Sequence, residues 1–176
     1  MRQLATAERI GQLLDALGRA APEEGRAYLA GGATAVLLGW RESTIDVDLK
    51  LVPDQDAVLR AIPELKERLR INVELASPAD FIPLSPGWQD RGVFIETIGR
   101  LSFYHFDLYA QALSKIERGH HQDLADAHQM IVGGLVDRSL LMRYFERIEP
   151  ELYRFPALDA ESFRRAVADF LGGSAT

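Results

Sequence analysis

The sequence predicts an α+β protein: a small mixed α/β core, followed by a helical C-terminal part, in a single compact domain. Three observations carry this. Up to about residue 106, segments that alternate apolar and polar side chains are interleaved with segments of helical spacing. From Asp107 onward every segment has helical spacing. The chain has 176 residues, 47% of them hydrophobic, enough for one core without disulfides. The expected division is a core over 1–106 and a helical part over 107–176 packed on that same core.

The elements follow in order. Leu4, Ile10, Leu13, Leu14 and Leu17 recur at helical spacing and predict a helix over 4–19, closed by Ala21-Pro22. A short strand, 26–30, runs into Gly31-Gly32, and a helical stretch over 33–38 stops at Gly39. Residues 44–52 alternate strictly, with the apolar residues on one face and Asp46, Asp48 and Lys50 on the other. Residues 54–70 return to helical spacing with Asp54 as N-cap, and Pro63 is expected to kink or divide that helix. Residues 71–75 alternate again. Residues 93–98 and 101–106 flank Gly99-Arg100 as a hairpin. Helices are predicted over 108–118, 121–132, 139–148 and 162–171, and the end, 172–176, is expected to fray.

Composition excludes several classes. No apolar run approaches the ~20 residues of a bilayer crossing. The start lacks a basic stretch followed by an apolar block, so it does not read as a signal peptide. Cysteine is absent, which removes thiolate catalysis, thiolate metal sites and disulfides, and a cytoplasmic setting is expected. Twenty basic against 26 acidic residues give a net charge of -6, so no general nucleic-acid-binding surface is expected. A polyanion can be held only by a local patch or through a metal. Nearly all the basic residues are arginines; the three lysines are Lys50, Lys66 and Lys115.

Two features carry chemistry. Asp46 and Asp48, at i and i+2 of a strand, project from one face ~6.6 Å apart, so both can reach one divalent cation. Magnesium takes a few carboxylate oxygens and keeps its other positions for water and phosphate. Gly31-Gly32 lies after a strand and before a helix, where glycines let backbone N–H groups approach a phosphate and the helix N-terminus favours negative charge. A phosphate cradle with a two-carboxylate metal site is the pairing that phosphoryl or nucleotidyl transfer uses.

On these residues the sequence resembles the nucleotidyltransferase superfamily, with its polymerase-β-like fold. The resemblance rests on Ala30-Gly31-Gly32, then Ile45-Asp46-Val47-Asp48-Leu49, then a third acid between apolar residues, Val73-Glu74-Leu75, with Glu96 of Ile95-Glu96-Thr97 as the alternative. Arg41-Glu42-Ser43-Thr44 is similar to the Arg-x-x-Thr of the bacterial minimal nucleotidyltransferases, a group that includes AbiEii-type and MenT-type toxins. Lys115, in Ala112-Leu113-Ser114-Lys115-Ile116, and the run Gln122-Asp123-Leu124-Ala125-Asp126 extend the likeness into the helical part. Three departures stand out: Ala33 where many members have a phosphate-contacting serine (Thr34 is adjacent), Gln122 where they have arginine, and two candidates for the third acid.

The resemblance implies a nucleotidyltransferase-type small mixed sheet flanked by helices. The implied activity is transfer of a nucleoside monophosphate from an NTP to an acceptor hydroxyl on RNA (tRNA in the toxin relatives) or protein. A toxin–antitoxin role and a cognate antitoxin partner go with it. A catalytically inactive module that binds nucleotide or a partner protein is the alternative. Gly31 and Gly32, with Ala33 and Thr34, would cradle phosphates. Asp46, Asp48 and Glu74 would hold one or two Mg²⁺, and Glu74 would help deprotonate the acceptor. Lys115 would offer a charge to the phosphates. Asp123 either orients Lys115 or caps its helix, and Arg41 and Thr44 either contact nucleotide or brace the turn. His120, His121 and His128 read as non-ligands, because adjacent histidines on a helix point about 100° apart. His105 can pair with Asp107.

Overall fold

The computed structural model describes residues 2–173. The expected fraying falls mainly on 174–176, which lie outside the described residues. The chain divides into two compact units, Met1–Ser77 with Gly92–Phe106, and Pro78–Arg91 with Asp107–Thr176. Among the described residues there are seven α-helices, a five-stranded mixed sheet and a two-stranded sheet, so the protein is α+β.

The first unit holds all the strands. Its elements are β1 (Ala5–Thr6), α1 (Ala7–Ala20), β2 (Gly25–Ala30), α2 (Gly31–Leu38), β3 (Ser43–Thr44), β4 (Asp46–Val52), α3 (Asp56–Leu69), β5 (Asn72–Glu74), β6 (Val93–Ile98) and β7 (Leu101–His105). The sheet order is β5-β4-β2-β7-β6. β2 runs antiparallel to β4 and parallel to β7, β4 runs parallel to β5, and β6–β7 is the predicted hairpin. Val47, Leu49 and Leu51 of β4 are buried beside Ala27 and Leu29 of β2 and Val73 of β5. The apolar stripes of α1 (Ile10, Leu13, Leu14, Leu17) and α3 (Val58, Ile62, Leu65) join the same core. Period-two alternation thus turns every even-numbered residue of β4 away from that core.

One approach fixes the hairpin against α1. A Cβ on Gly18 would lie 2.5 Å from the carbonyl oxygen of Ile98, and one on Gly99, at φ 57°, would lie 2.5 Å from the carbonyl oxygen of Gly18. Backbone meets backbone there, and only glycine leaves room.

Three local expectations change. The first predicted helix begins as β1, and Thr6 caps α1 by accepting from the Arg9 N–H. The 44–52 run is interrupted at Ile45, which is 70% exposed between β3 and β4 and so does not share the core face. Pro63 does not divide its helix: α3 continues from Asp56 to Leu69, with Gln55 rather than Asp54 at the N-cap position. Proline removes one N–H from the ladder, while the buried stripe of Val58, Ile62 and Leu65 runs on either side of it.

The second unit comprises a single 3-10 turn (Pro78–Asp80), α4 (Leu108–Arg118), α5 (His121–Val132), α6 (Arg138–Ile148), a 3-10 segment (Glu149–Arg154) and α7 (Ala160–Gly172). Asp107 caps α4 by accepting from the Tyr109 N–H and is ion-paired to Arg91 at 2.7 Å. Arg91 also donates to the carbonyls of Ser85 and Pro86, so one guanidinium ties the 78–91 segment to the start of α4. Phe145 of α6 packs against Phe163 of α7, with ring centroids 4.9 Å apart.

Candidate functional site

The site is built where β2 ends. In the antiparallel register Ala30 lies opposite Asp48, so the chain leaves β2 beside the second acid. The next residue, Gly31, has φ 60°, and a Cβ there would fall 2.5 Å from Asp48 Oδ2. Gly32 is equally constrained, since a Cβ on it would collide with Thr44 Oγ1. The two glycines therefore let the start of α2 sit directly against the acid strand.

The acids share one face. Asp46 and Asp48 alternate with the buried Val47 and Leu49, and each is partly exposed. In the parallel register of β4 and β5, Asp46 pairs with Asn72 and Asp48 with Glu74, which puts all four on the same side of the sheet. Glu74 is thus adjacent to the pair. Glu96 stands on β6, three strands from β4 and so ~14 Å away across the sheet. The expected alternative between the two acids is resolved in position: only Glu74 adjoins Asp46 and Asp48.

Hydrogen bonds orient the face. Asn72 Nδ2 donates to Asp46 Oδ1 at 2.7 Å and to Glu74 Oε1 at 3.0 Å. Thr44 Oγ1 donates to the Asp46 carbonyl at 3.0 Å. Thr44 is buried and braces the turn. Ala33 and Thr34 are wholly buried, backbone included, so neither presents a group to the outside of the turn, contrary to the phosphate-cradling role expected for them. The Thr34 hydroxyl donates to the Leu29 carbonyl at 3.2 Å and therefore accepts from His105 Nδ1, 3.1 Å away, which places the proton of the neutral ring on Nδ1. His105 thus meets Thr34, not the expected Asp107. Burial pushes its pKa down to about 4. The Arg41 N–H closes onto the Ala35 carbonyl at the C-terminal end of α2.

The two helical-part candidates lie in the second unit. Lys115 Nζ is 2.7 Å from Asp126 Oδ2 and 3.4 Å from Asp123 Oδ1. Arg118 pairs with Asp123 at 2.7 Å. Burial pushes the Asp123 carboxyl up, but hydrogen bonding to Arg118 and the charges of Lys115 and Arg118 outweigh it and hold the group below its ordinary range. Asp123 is thus held mainly by Arg118 and lies at 3.4 Å from Lys115, whose close partner is Asp126. Asp126, which closes the run Gln122–Asp126 and to which the sequence assigns no role of its own, is the nearer partner of Lys115; its i+3 spacing from Asp123 sets both acids on one side of α5.

Among the described residues no group of three His, Asp or Glu side chains forms a ready metal cage. The acid face nevertheless fits Mg²⁺ by its donors: two hard carboxylates on one face is the protein share that Mg²⁺ takes, with water and phosphate supplying the rest.

Strand, glycine turn and paired acids on the neighbouring strand define a protein of nucleotidyltransferase type. The chain belongs to the family described as nucleotidyltransferase of unknown function (DUF6036), whose model matches residues 10–170. No curated protein and no solved structure matches it.

One prediction tests the glycine turn. Gly31→Ala forces a non-glycine residue to φ 60° and pushes its methyl onto Asp48 Oδ2. The carboxylate end can rotate away, so we expect a stability loss of only about 1–2 kcal/mol by thermal denaturation. Asp48 is displaced in the process, and Mg-nucleotide binding is expected to be lost in the folded variant.

Proposed function

We propose that the protein binds an NTP with Mg²⁺ on the acid face of the first unit and transfers its nucleoside monophosphate to an acceptor hydroxyl on RNA or protein. The observation that carries this reading is the register of β2 on β4, which sets the Asp48 carboxylate against the Gly31 turn. Backbone N–H groups at the start of α2 take the terminal phosphates, because neither Gly31 nor Gly32 has a side chain to hold them off. Asp46 and Asp48 would hold the cation. Bound Mg²⁺ supplies charge neutralisation of the triphosphate as pyrophosphate leaves. The acceptor oxygen forms the new bond to the α-phosphorus, the bond to pyrophosphate breaks, and Glu74 receives the hydroxyl proton. Asn72 holds Glu74 on the right face for this. Lys115 is held by two carboxylates, and we assign it to joining α4 and α5.

The test is calorimetric titration of the four NTPs into the wild type, D46A and D48A, first with Mg²⁺ and then with EDTA. At least one NTP is expected to bind with Mg²⁺ and to lose at least tenfold in affinity in D48A. Binding that is indifferent to EDTA and to both substitutions overturns the reading.

A further inference from the structure

Asn72 is central to the acid face, yet transfer itself asks nothing of it beyond orientation. It faces Asp46 across the β4–β5 ladder and precedes Glu74 by two residues on one edge strand. Its amide nitrogen gives one hydrogen to Asp46 and the other to Glu74. Its carbonyl oxygen accepts from Arg2 Nη1 at 2.6 Å. The three contacts fix which way the amide points: reversed, it would set its oxygen against two carboxylates and its nitrogen against a guanidinium.

An NH₂ group aimed at two carboxylates does for them what a cation would do. Asn72 Nδ2 lies 2.7 Å from Asp46 Oδ1 and 3.0 Å from Glu74 Oε1, so it occupies the place beside both oxygens that an ion bridging them would take, with its hydrogens turned toward them. We infer that Asn72 is a positioning residue that stands in for a second cation: the face takes one divalent ion, at Asp46 and Asp48, and Glu74 is kept off the metal as a base. This rests on the acid pair being the cation site proposed above.

The two N–H dipoles of Asn72, with Arg2 on its carbonyl oxygen, supply part of the positive field that Asp46 and Glu74 would otherwise draw from an ion. Asn72→Asp keeps the shape, removes both donors and adds a fourth carboxylate, so the place the amide held is then open to a second ion.

The experiment is Mn²⁺ titration of the full chain, read by the electron paramagnetic resonance signal of unbound Mn²⁺, on the wild type, N72D, N72A and D48A, each checked for folding by circular dichroism. The expected result is one Mn²⁺ per chain for the wild type and two for N72D. N72A is expected to bind one ion about tenfold more weakly, the usual cost of losing a group that orients a metal ligand. A residue with a merely structural role would change stability and leave stoichiometry and affinity alone. Two ions in the wild type, one ion in folded N72D, or N72A binding as tightly as the wild type overturns the inference. Should N72D not fold, the N72A affinity decides. Loss of binding in D48A while N72D stays at one ion sinks this inference alone. Mn²⁺ binding unchanged in D48A, or no saturable binding to the folded wild type, sinks the reading of the acid pair as well.

Discussion

Replacing Lys115 by methionine is expected to lower stability by about 3–5 kcal/mol, the range found when one partner of a buried ion pair is removed. The side chain of Lys115 is 8% exposed and that of Asp126 is 3% exposed, so their charges are screened by little water. Methionine keeps the length and apolar stem of lysine, which separates the loss of charge from the loss of packing. The double variant K115M/D126N, in which the facing carboxylate is also neutral, is expected to recover most of the loss. Urea denaturation of the three proteins measures both quantities. The effect has a pH signature. Asp123 titrates below its unfolded value in the native protein, so it contributes stability above the ordinary carboxylate range and loses it as pH falls through the depressed value. Without Lys115 one of the charges that depress it is gone, and acid unfolding is expected to begin at higher pH. Nucleotide affinity per folded molecule is expected to be unchanged, in keeping with a role at the α4–α5 junction; a loss of binding in folded K115M would return Lys115 to the phosphates.

The second large effect comes from His105. Its native pKa of about 4 lies below the ordinary histidine value of 6.5 because the ring is buried. Between those values the unfolded chain takes up a proton that the native ring refuses, so stability falls as pH falls through this window and levels off below the native value. At 1.36 kcal/mol per pH unit, the whole loss across the window is roughly 3 kcal/mol. Asparagine at 105 can place an amide N–H near the position of the ring Nδ1 proton and keep the bond to Thr34 while removing the titration. Wild-type stability is expected to drop between pH 7 and 4.5 by about 2–3 kcal/mol more than that of H105N, measured by urea midpoints in the same buffers. Equal slopes would mean that the ring titrates in the native protein as it does in the unfolded chain.

What could be read from the sequence depended on whether the cause was local. The alternation of β4, the hairpin around Gly99-Arg100 and the bounds of α4 and α5 all follow from spacing within one segment, and all are present. So is the common face of Asp46 and Asp48. β1 and β3, two residues each, are too short to carry a period, and their pairing of Ala5 with Thr44 joins segments far apart in the chain. Ile45 is apolar and was therefore counted into the core face; its exposure reflects the break between β3 and β4. Asn72 was invisible for the same reason that Glu74 and Glu96 could not be separated. Both depend on which strand lies beside β4 and in which register, and no residue within β5 states that. The partner of His105 likewise comes from a contact between residues 71 positions apart.

The division of the chain also bears on how it is made. The strand-bearing unit is discontinuous in sequence, because residues 78–91 belong to the helical unit and fall between β5 and β6. While only the first 77 residues have left the ribosome, β5, β4 and β2 can pair, but the outer edge of β2 waits for β7, which arrives with residues 101–105. An open strand edge is a template for pairing with another chain. The edge of β2 therefore stands open while the acids of β4 and β5 are already side by side, and it is covered only when β7 pairs with it.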